Sequence, residues 1–108
     1  MSAELDELTV NYEEEGRLVR KELERVFLSK GAWATVLFRY QELDPKTETY
    51  RAPKAMIVRF RKVKGVYRKQ TSFNFSSPKQ ALAIAEILQK WFVNAPETEA
   101  EHEEEHAS

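Results

Sequence analysis

The chain has no cysteine, and its 108 residues include only three glycines and four prolines. Without cysteine there are no disulfides, no thiolate metal ligands and no cysteine nucleophile. Three scattered glycines form no glycine-rich loop of the kind that holds a phosphate group. Both histidines, His102 and His106, lie near the C-terminus, so no Ser/His/Asp catalytic set is expected in a folded domain. These absences predict a protein that is not an enzyme.

Long apolar runs are missing as well. No segment approaches the roughly 18 residues of a membrane-spanning helix. The first ten residues, MSAELDELTV, lack the basic-then-apolar order of a signal peptide. We therefore expect a cytoplasmic protein without a membrane partner, and an association with the nucleoid is compatible with this. A chain of this length is expected to form one domain with a single modest core.

Acidic residues are absent from the stretch IVRFRKVKGVYRKQ, residues 57–70, which holds six basic side chains. The net charge of the whole chain is nevertheless −1, because residues 1–16 and residues 94–108 each carry six acids and no base. Residues 17–93 therefore carry a net charge of +11. Such a basic domain attracts polyanions, among them nucleic acid. The alternative is that these charges only solvate the surfaces of ordinary helices and strands.

The charge pattern divides the chain into an acidic N-terminal tail (1–16), a folded domain (17–93) and an acidic C-terminal tail (94–108). Neither tail has enough apolar residues to offset the entropy lost on ordering, so we expect both to be disordered. The C-terminal tail contains His-Glu-Glu-Glu-His, residues 102–106, which matches a zinc-protease pattern. The tail provides no cleft and no further ligand for such a site. We predict no metal, no cofactor and no small-molecule substrate.

Alternation of apolar and polar residues predicts strands through the middle of the chain. Residues 32–43, 54–62 and 66–75 alternate in this way and are rich in branched and aromatic side chains. Residues 17–29 fit one face of a helix as well as one side of a strand. The Ser-Lys-Gly-Ala that follows is typical of a short turn, which favours the strand.

A helix is predicted after these strands. Ser77 is a natural N-cap and Pro78 suits the first helical position. Apolar residues then recur at helical spacing from Ala81 to Phe92, before the helix ends at Asn94. The predicted fold is therefore α+β: a four-stranded, curved antiparallel sheet followed by one C-terminal helix that packs on it.

The sheet face opposite the predicted helix is basic. Arginine suits phosphate groups, and an aromatic ring can stack on any base, so this face has the composition of a sequence-tolerant single-strand binding surface. An ordinary solvated sheet face is the alternative. Thr71, Phe73 and Phe75 are expected on the helix side. The residues predicted on the basic face are Trp33, Thr35, Leu37, Arg39, Gln41, Ile57, Arg59, Arg61, Arg68, Gln70, Ser72 and Asn74.

The stretches GAWATVLFRYQEL and APKAMIVRFRKVKGVYRKQTSFNFSS, followed by the helix, resemble the positive cofactor four and Pur-alpha-like families of single-stranded DNA-binding proteins. The resemblance covers about residues 17–93. It implies a homodimer, in which the apolar stripe of the helix packs in the core or against the partner subunit. It also implies an outer sheet surface that binds single-stranded nucleic acid, with DNA favoured over RNA. The residues that it implicates are Trp33, Arg39, Arg59, Arg61, Arg68 and Lys69.

The function expected from the residues and the resemblance is non-enzymatic, largely sequence-independent binding of single-stranded DNA or RNA, in a role such as transcription regulation. A protein-interaction or assembly module that uses the same face or the helix is the competing hypothesis.

Overall fold

The computed structural model describes residues 4–94. The expectations for most of the C-terminal tail, including His102 and His106, fall outside the described residues. The described part of the chain divides into two compact units, with the boundary between Ser76 and Ser77. The first unit contains the sheet and the second contains the helix, and the packing of the helix on the sheet stays a prediction.

The described part of the sheet unit has six strands: β1 (Tyr12–Glu14), β2 (Arg17–Ser29), β3 (Trp33–Asp44), β4 (Thr49–Tyr50), β5 (Lys54–Val63) and β6 (Val66–Asn74). They pair antiparallel in the order β1-β2-β3-β5-β6, with β4 paired to the end of β3. The α+β arrangement with one C-terminal helix is therefore as expected, but the prediction of four strands is wrong. The two missed strands, β1 and β4, are three and two residues long, too short to show a period. The helices are a 3₁₀ helix at Leu5–Glu7 and α1 (Pro78–Phe92).

Two tight hairpin turns join neighbouring strands. Glu15-Gly16 connects β1 to β2 and Lys64-Gly65 connects β5 to β6, and both residues of each turn have positive φ angles, between 50° and 79°. A two-residue turn with this backbone has a twist that matches the twist of the flanking strands. The second turn fixes how the basic ends of β5 and β6 lie beside each other.

Replacing Gly65 by Ala should destabilise the domain by about 1–2 kcal/mol, because a side chain makes the left-handed conformation costly. The φ angle at this position is +78°, and an added Cβ would meet nothing within 4 Å, so the cost comes from the backbone alone. Lys64→Asn is the matched control, since Asn-Gly is favoured in this turn, and it should preserve or raise stability. Urea unfolding of the three proteins measures both effects. Equal stability of Gly65→Ala and the parent protein would contradict this description of the turn.

The core lies on one face of the sheet. Alternate residues of β3, from Ala34 to Tyr40, are almost completely buried together with Met56, Val58 and Phe60 of β5. Tyr67 joins them from β6, and its hydroxyl donates a hydrogen bond of 2.7 Å to the Gly31 carbonyl. This bond ties the β5-β6 hairpin to the turn between β2 and β3. The alternation expected in β3 and β5 is confirmed.

The N-terminal residues that the structure describes are ordered, which overturns the expectation of a disordered tail for this part of the chain. Leu8 and Val10 are 3% and 8% exposed and belong to the core, and Leu5 packs against it. The Arg25 guanidinium donates a 2.6 Å hydrogen bond to the Leu8 carbonyl. The backbone N–H of Glu22 donates another, of 2.7 Å, to the side chain of Asn11. These contacts fasten the segment along β2.

A small ion-pair network lies where β2, β3 and β5 meet. The ammonium group of Lys54 donates a 2.9 Å hydrogen bond to Glu42, and the Arg20 guanidinium lies 4.0 Å from the same carboxylate. The hydrogen bond from Lys54 lowers the pKa of Glu42 against the opposing effect of burial, and the charges of Lys54, Arg20 and Arg51 lower it further. The ionised carboxylate therefore stabilises the folded state.

Stability should fall at acid pH in a way that depends on Glu42. Because its pKa is lowered on folding, its contribution is complete above the ordinary value of 4.5 and is lost as the pH falls toward the folded value. Glu42→Gln should flatten this part of the profile of unfolding free energy against pH. Lys54→Met, which removes the main cause of the lowered pKa, should flatten it partly. If the unfolding free energy of both variants falls at acid pH as it does in the parent protein, Glu42 is not the group responsible.

The helix unit begins where the sequence predicts. The Ser77 hydroxyl accepts a 3.1 Å hydrogen bond from the Gln80 N–H, and Pro78 occupies the first turn. Apolar side chains of α1 are largely exposed, with Leu82 at 71% and Trp91 at 70%. Within the described residues, no helix is both long and apolar enough to cross a membrane.

Candidate nucleic-acid interface

The sheet face opposite the core, named here the outer face, is organised in rows that run across the strands. In an antiparallel sheet, directly paired residues point to the same side, with their Cβ atoms about 4.5–5.5 Å apart. The pairing of β3 with β5 and of β5 with β6 therefore determines which side chains are neighbours on this face. Three such rows form the candidate site: one contains Arg61 and Arg68, the next contains Arg59, and the third is apolar.

The first row is cationic. Arg61 pairs with Trp33 on one side and with Arg68 on the other, and Arg59 lies one row along between Thr35 and Thr71. We call Arg59, Arg61 and Arg68 the arginine cluster. Together with Trp33, its three members are four of the six residues that the sequence implicated.

Trp33 is in contact with two members of this cluster. The guanidinium carbon of Arg59 lies 4.6 Å from the centre of the indole ring, and that of Arg61 lies 5.5 Å from it. Both distances are within the range of cation–π attraction. The indole ring therefore helps to hold two guanidinium groups on the outer face.

Two members of the arginine cluster, Arg61 and Arg68, have no ion pair within the part of the chain that the structure describes. Among the described residues, no Asp or Glu oxygen lies within 4.0 Å of the charged groups of Arg61 and Arg68. These two like charges stand directly opposite each other on neighbouring strands, an arrangement that destabilises a sheet. An anion bound between them would relieve the repulsion.

Arg39, the fifth implicated residue, differs in this respect. It pairs across the sheet with Glu24, and their side chains form a 3.1 Å ion pair on the outer face. The pair is exposed and contributes little to stability, but the carboxylate offsets the charge that an anion would meet. Arg39 therefore lies at the margin of the basic surface.

Lys69, the sixth implicated residue, is not brought to the arginine cluster. It pairs with Phe60, whose side chain belongs to the core face. Lys69 is exposed because β6 is an edge strand. An anion on the outer face is not expected to contact it directly.

The third row is apolar and crosses four strands. Val26 pairs with Leu37, Leu37 with Ile57, and Ile57 with Phe73. Val26 and Phe73, at the two ends, are 47% and 52% exposed. We call these four residues the apolar row. It lies beside the arginine cluster, with Thr35 and Arg59 next to Leu37 and Ile57 along their strands.

Thr71, Phe73 and Phe75 were expected on the core side, and Ser72 and Asn74 on the outer face; these assignments are wrong. The pairing of β5 with β6 shifts between Arg59 and Phe60, which leaves Gln70 as an extra residue in β6. A bulge of this kind moves every later side chain to the opposite face. The rings of Phe73 and Phe75 stack edge to face, 5.2 Å apart.

The outer face thus combines the arginine cluster, the hydroxyl groups of Thr35 and Thr71, and the apolar row on one sheet. Such a surface can bind a flexible polyanion that also has flat or apolar parts. Within residues 4–94, no three His, Asp or Glu side chains are grouped so as to hold a metal ion.

Comparison with known proteins found no relative of this chain. No protein-family model matches the sequence, and no significant match was found among curated proteins or solved structures. The function has to be argued from the site itself.

Proposed function

We propose that this protein binds single-stranded nucleic acid, without strong sequence preference and without catalysing a reaction, through the outer face of its sheet. The observation that carries the proposal is the direct pairing of Arg61 with Arg68, beside Trp33. Within residues 4–94, no carboxylate oxygen lies within 4.0 Å of either guanidinium group. Two arginines placed opposite each other cost stability, and they suit the phosphates of a polyanion.

Other features of the face support the same ligand. Arg59 extends the cationic row, and the hydroxyl groups of Thr35 and Thr71 lie on either side of it. Hydroxyl side chains commonly donate to phosphate oxygens. Contacts of these kinds are available to a strand of any sequence, so binding should tolerate changes of base.

The contacts proposed for the outer face are available to both DNA and RNA. DNA is the favoured ligand in the resemblance to the positive cofactor four and Pur-alpha-like families, and RNA shares the phosphates and bases that this face would contact. Comparing oligonucleotides that differ only in the 2′-hydroxyl will separate the two.

The proposal is tested by fluorescence anisotropy with the full chain and a labelled oligothymidylate about eight nucleotides long. The logarithm of the binding constant should fall linearly with the logarithm of the salt concentration, with a slope of about −0.7 per neutralised phosphate. Engagement of the whole arginine cluster therefore predicts a slope of about −2. Absence of binding at about 50 mM salt, or equally tight binding of a matched duplex, would contradict the proposal.

A protein-interaction module is the second candidate, and the exposed apolar side chains of α1 favour it, above all Leu82 and Trp91. This function requires a protein partner and no nucleic acid. The freshly purified protein distinguishes the two candidates. A raised ratio of absorbance at 260 nm to that at 280 nm, removed by nuclease and high salt, supports nucleic-acid binding.

A further inference from the structure

We infer that the apolar row holds the bases of a bound strand while the arginine cluster holds its phosphates. The ligand class is then a strand with unpaired bases, and not any flexible polyanion. The inference rests on the proposed function and adds to it a second set of contacts, made by Val26, Leu37, Ile57 and Phe73.

The geometry of the two rows carries this inference. Both rows run across the strands, so they are parallel, and successive residues on one face of a strand are about 6.8 Å apart. The apolar row therefore lies one such step from Arg59 and two steps from Arg61 and Arg68. A strand whose phosphates follow the arginine cluster has the apolar row on the Arg59 side. Bases that are not paired can turn toward that row.

The exposure of the apolar row indicates that it is available to a ligand. Phe73 and Val26 are about half exposed, although the opposite face of the same strands is closed by a packed core. Phe75 packs edge to face on Phe73, which widens the aromatic end of the row. Aromatic rings stack on bases of any kind, at about 1–3 kcal/mol per base.

Trp33 has a different part in this arrangement. Guanidinium groups already lie within cation–π distance of its ring. We assign Trp33 to positioning Arg59 and Arg61 for phosphates, and we assign base stacking to Phe73.

The length of the rows limits the site. Four adjacent strands at about 4.8 Å spacing extend the apolar row over about 14 Å. A strand advances about 3.4 Å per phosphate when its bases are stacked, so one sheet covers about four nucleotides.

The test compares two ligands with equal numbers of phosphates: an oligothymidylate and an oligomer of abasic sites. The full chain should bind the base-containing oligomer about 10-fold more tightly. Two stacked bases supply at least the binding free energy of about 1.4 kcal/mol that this ratio requires. Phe73→Ala should weaken oligothymidylate binding about 5- to 10-fold, leave abasic binding unchanged and keep the salt slope. Leu82→Ala, which removes an exposed leucine from α1, is the matched control and should change neither affinity.

Several results would overturn the inference and can be told apart. Equal affinity for both oligomers, or a Phe73→Ala variant that binds both as the parent does, would show that the bases do not contact the row. A change from dimer to monomer in Phe73→Ala, measured by sedimentation, would show that the row joins two copies of the chain. Failure of the parent protein to bind either oligomer at low salt would instead remove the proposed function itself.

Discussion

Replacing Arg61 and Arg68 together by Ala should lower the affinity for a single-stranded oligonucleotide about 100-fold at low salt. Each guanidinium group would lose a charged hydrogen bond to phosphate, worth at least about 1.5 kcal/mol. The salt slope should become less steep by about 1.4, because two fewer phosphates are neutralised. Anisotropy titrations at several salt concentrations measure both quantities.

The same variant should fold at least as well as the parent protein. Arg61 and Arg68 face each other as like charges, so removing them should leave the free energy of unfolding unchanged or raise it by about 0.2–1 kcal/mol. Lys46→Ala with Lys64→Asn is the control that removes equal charge from two turns, and Asn keeps the Lys64-Gly65 turn in its favoured form. If the control weakens binding as much as the arginine variant, net charge explains the binding and the outer face does not.

Replacing Leu8 by Ala should destabilise the sheet unit by about 2–4 kcal/mol, the usual cost of emptying the space of a buried leucine. Leu8 is 3% exposed and belongs to the core, although it lies in a stretch that the sequence suggests is disordered. Urea unfolding, followed by tryptophan fluorescence and circular dichroism, measures the change.

Leu28→Ala is the matched control for this prediction. Leu28 is 53% exposed, and the same substitution there should alter stability by no more than about 0.5 kcal/mol. Equal effects of the two substitutions would mean that residues 4–11 do not cover the core in solution.

The sequence was sufficient to predict the long elements of this fold. In β3 and β5 the strict alternation of buried residues, such as Val36, Phe38 and Val58, is the direct consequence of a sheet with one covered face. It was not sufficient for the N-terminal segment. Leu8 and Val10 are apolar residues in a short, mostly polar stretch, and their contacts with a distant part of the chain keep them in place.

The candidate site was predicted in part, for a related reason. Arg59, Arg61 and Trp33 lie on strands of regular period, so their common face could be read from spacing alone. Phe73 follows a bulge at Gln70, and a single extra residue reverses the inference for every position after it. The apolar row also depends on Val26, whose neighbours are set by strand register, a long-range property that local spacing does not encode.

The most direct test of the central claim is to map the bound ligand on the protein by nuclear magnetic resonance. Amide and side-chain signals of the full chain are followed during titration with an oligothymidylate. We predict that the largest shifts will come from Trp33, Arg61, Arg68 and Phe73 on the outer face, with small shifts for core residues such as Val36. Shifts confined to α1 or to residues 4–11, with the outer face unchanged, would contradict the account.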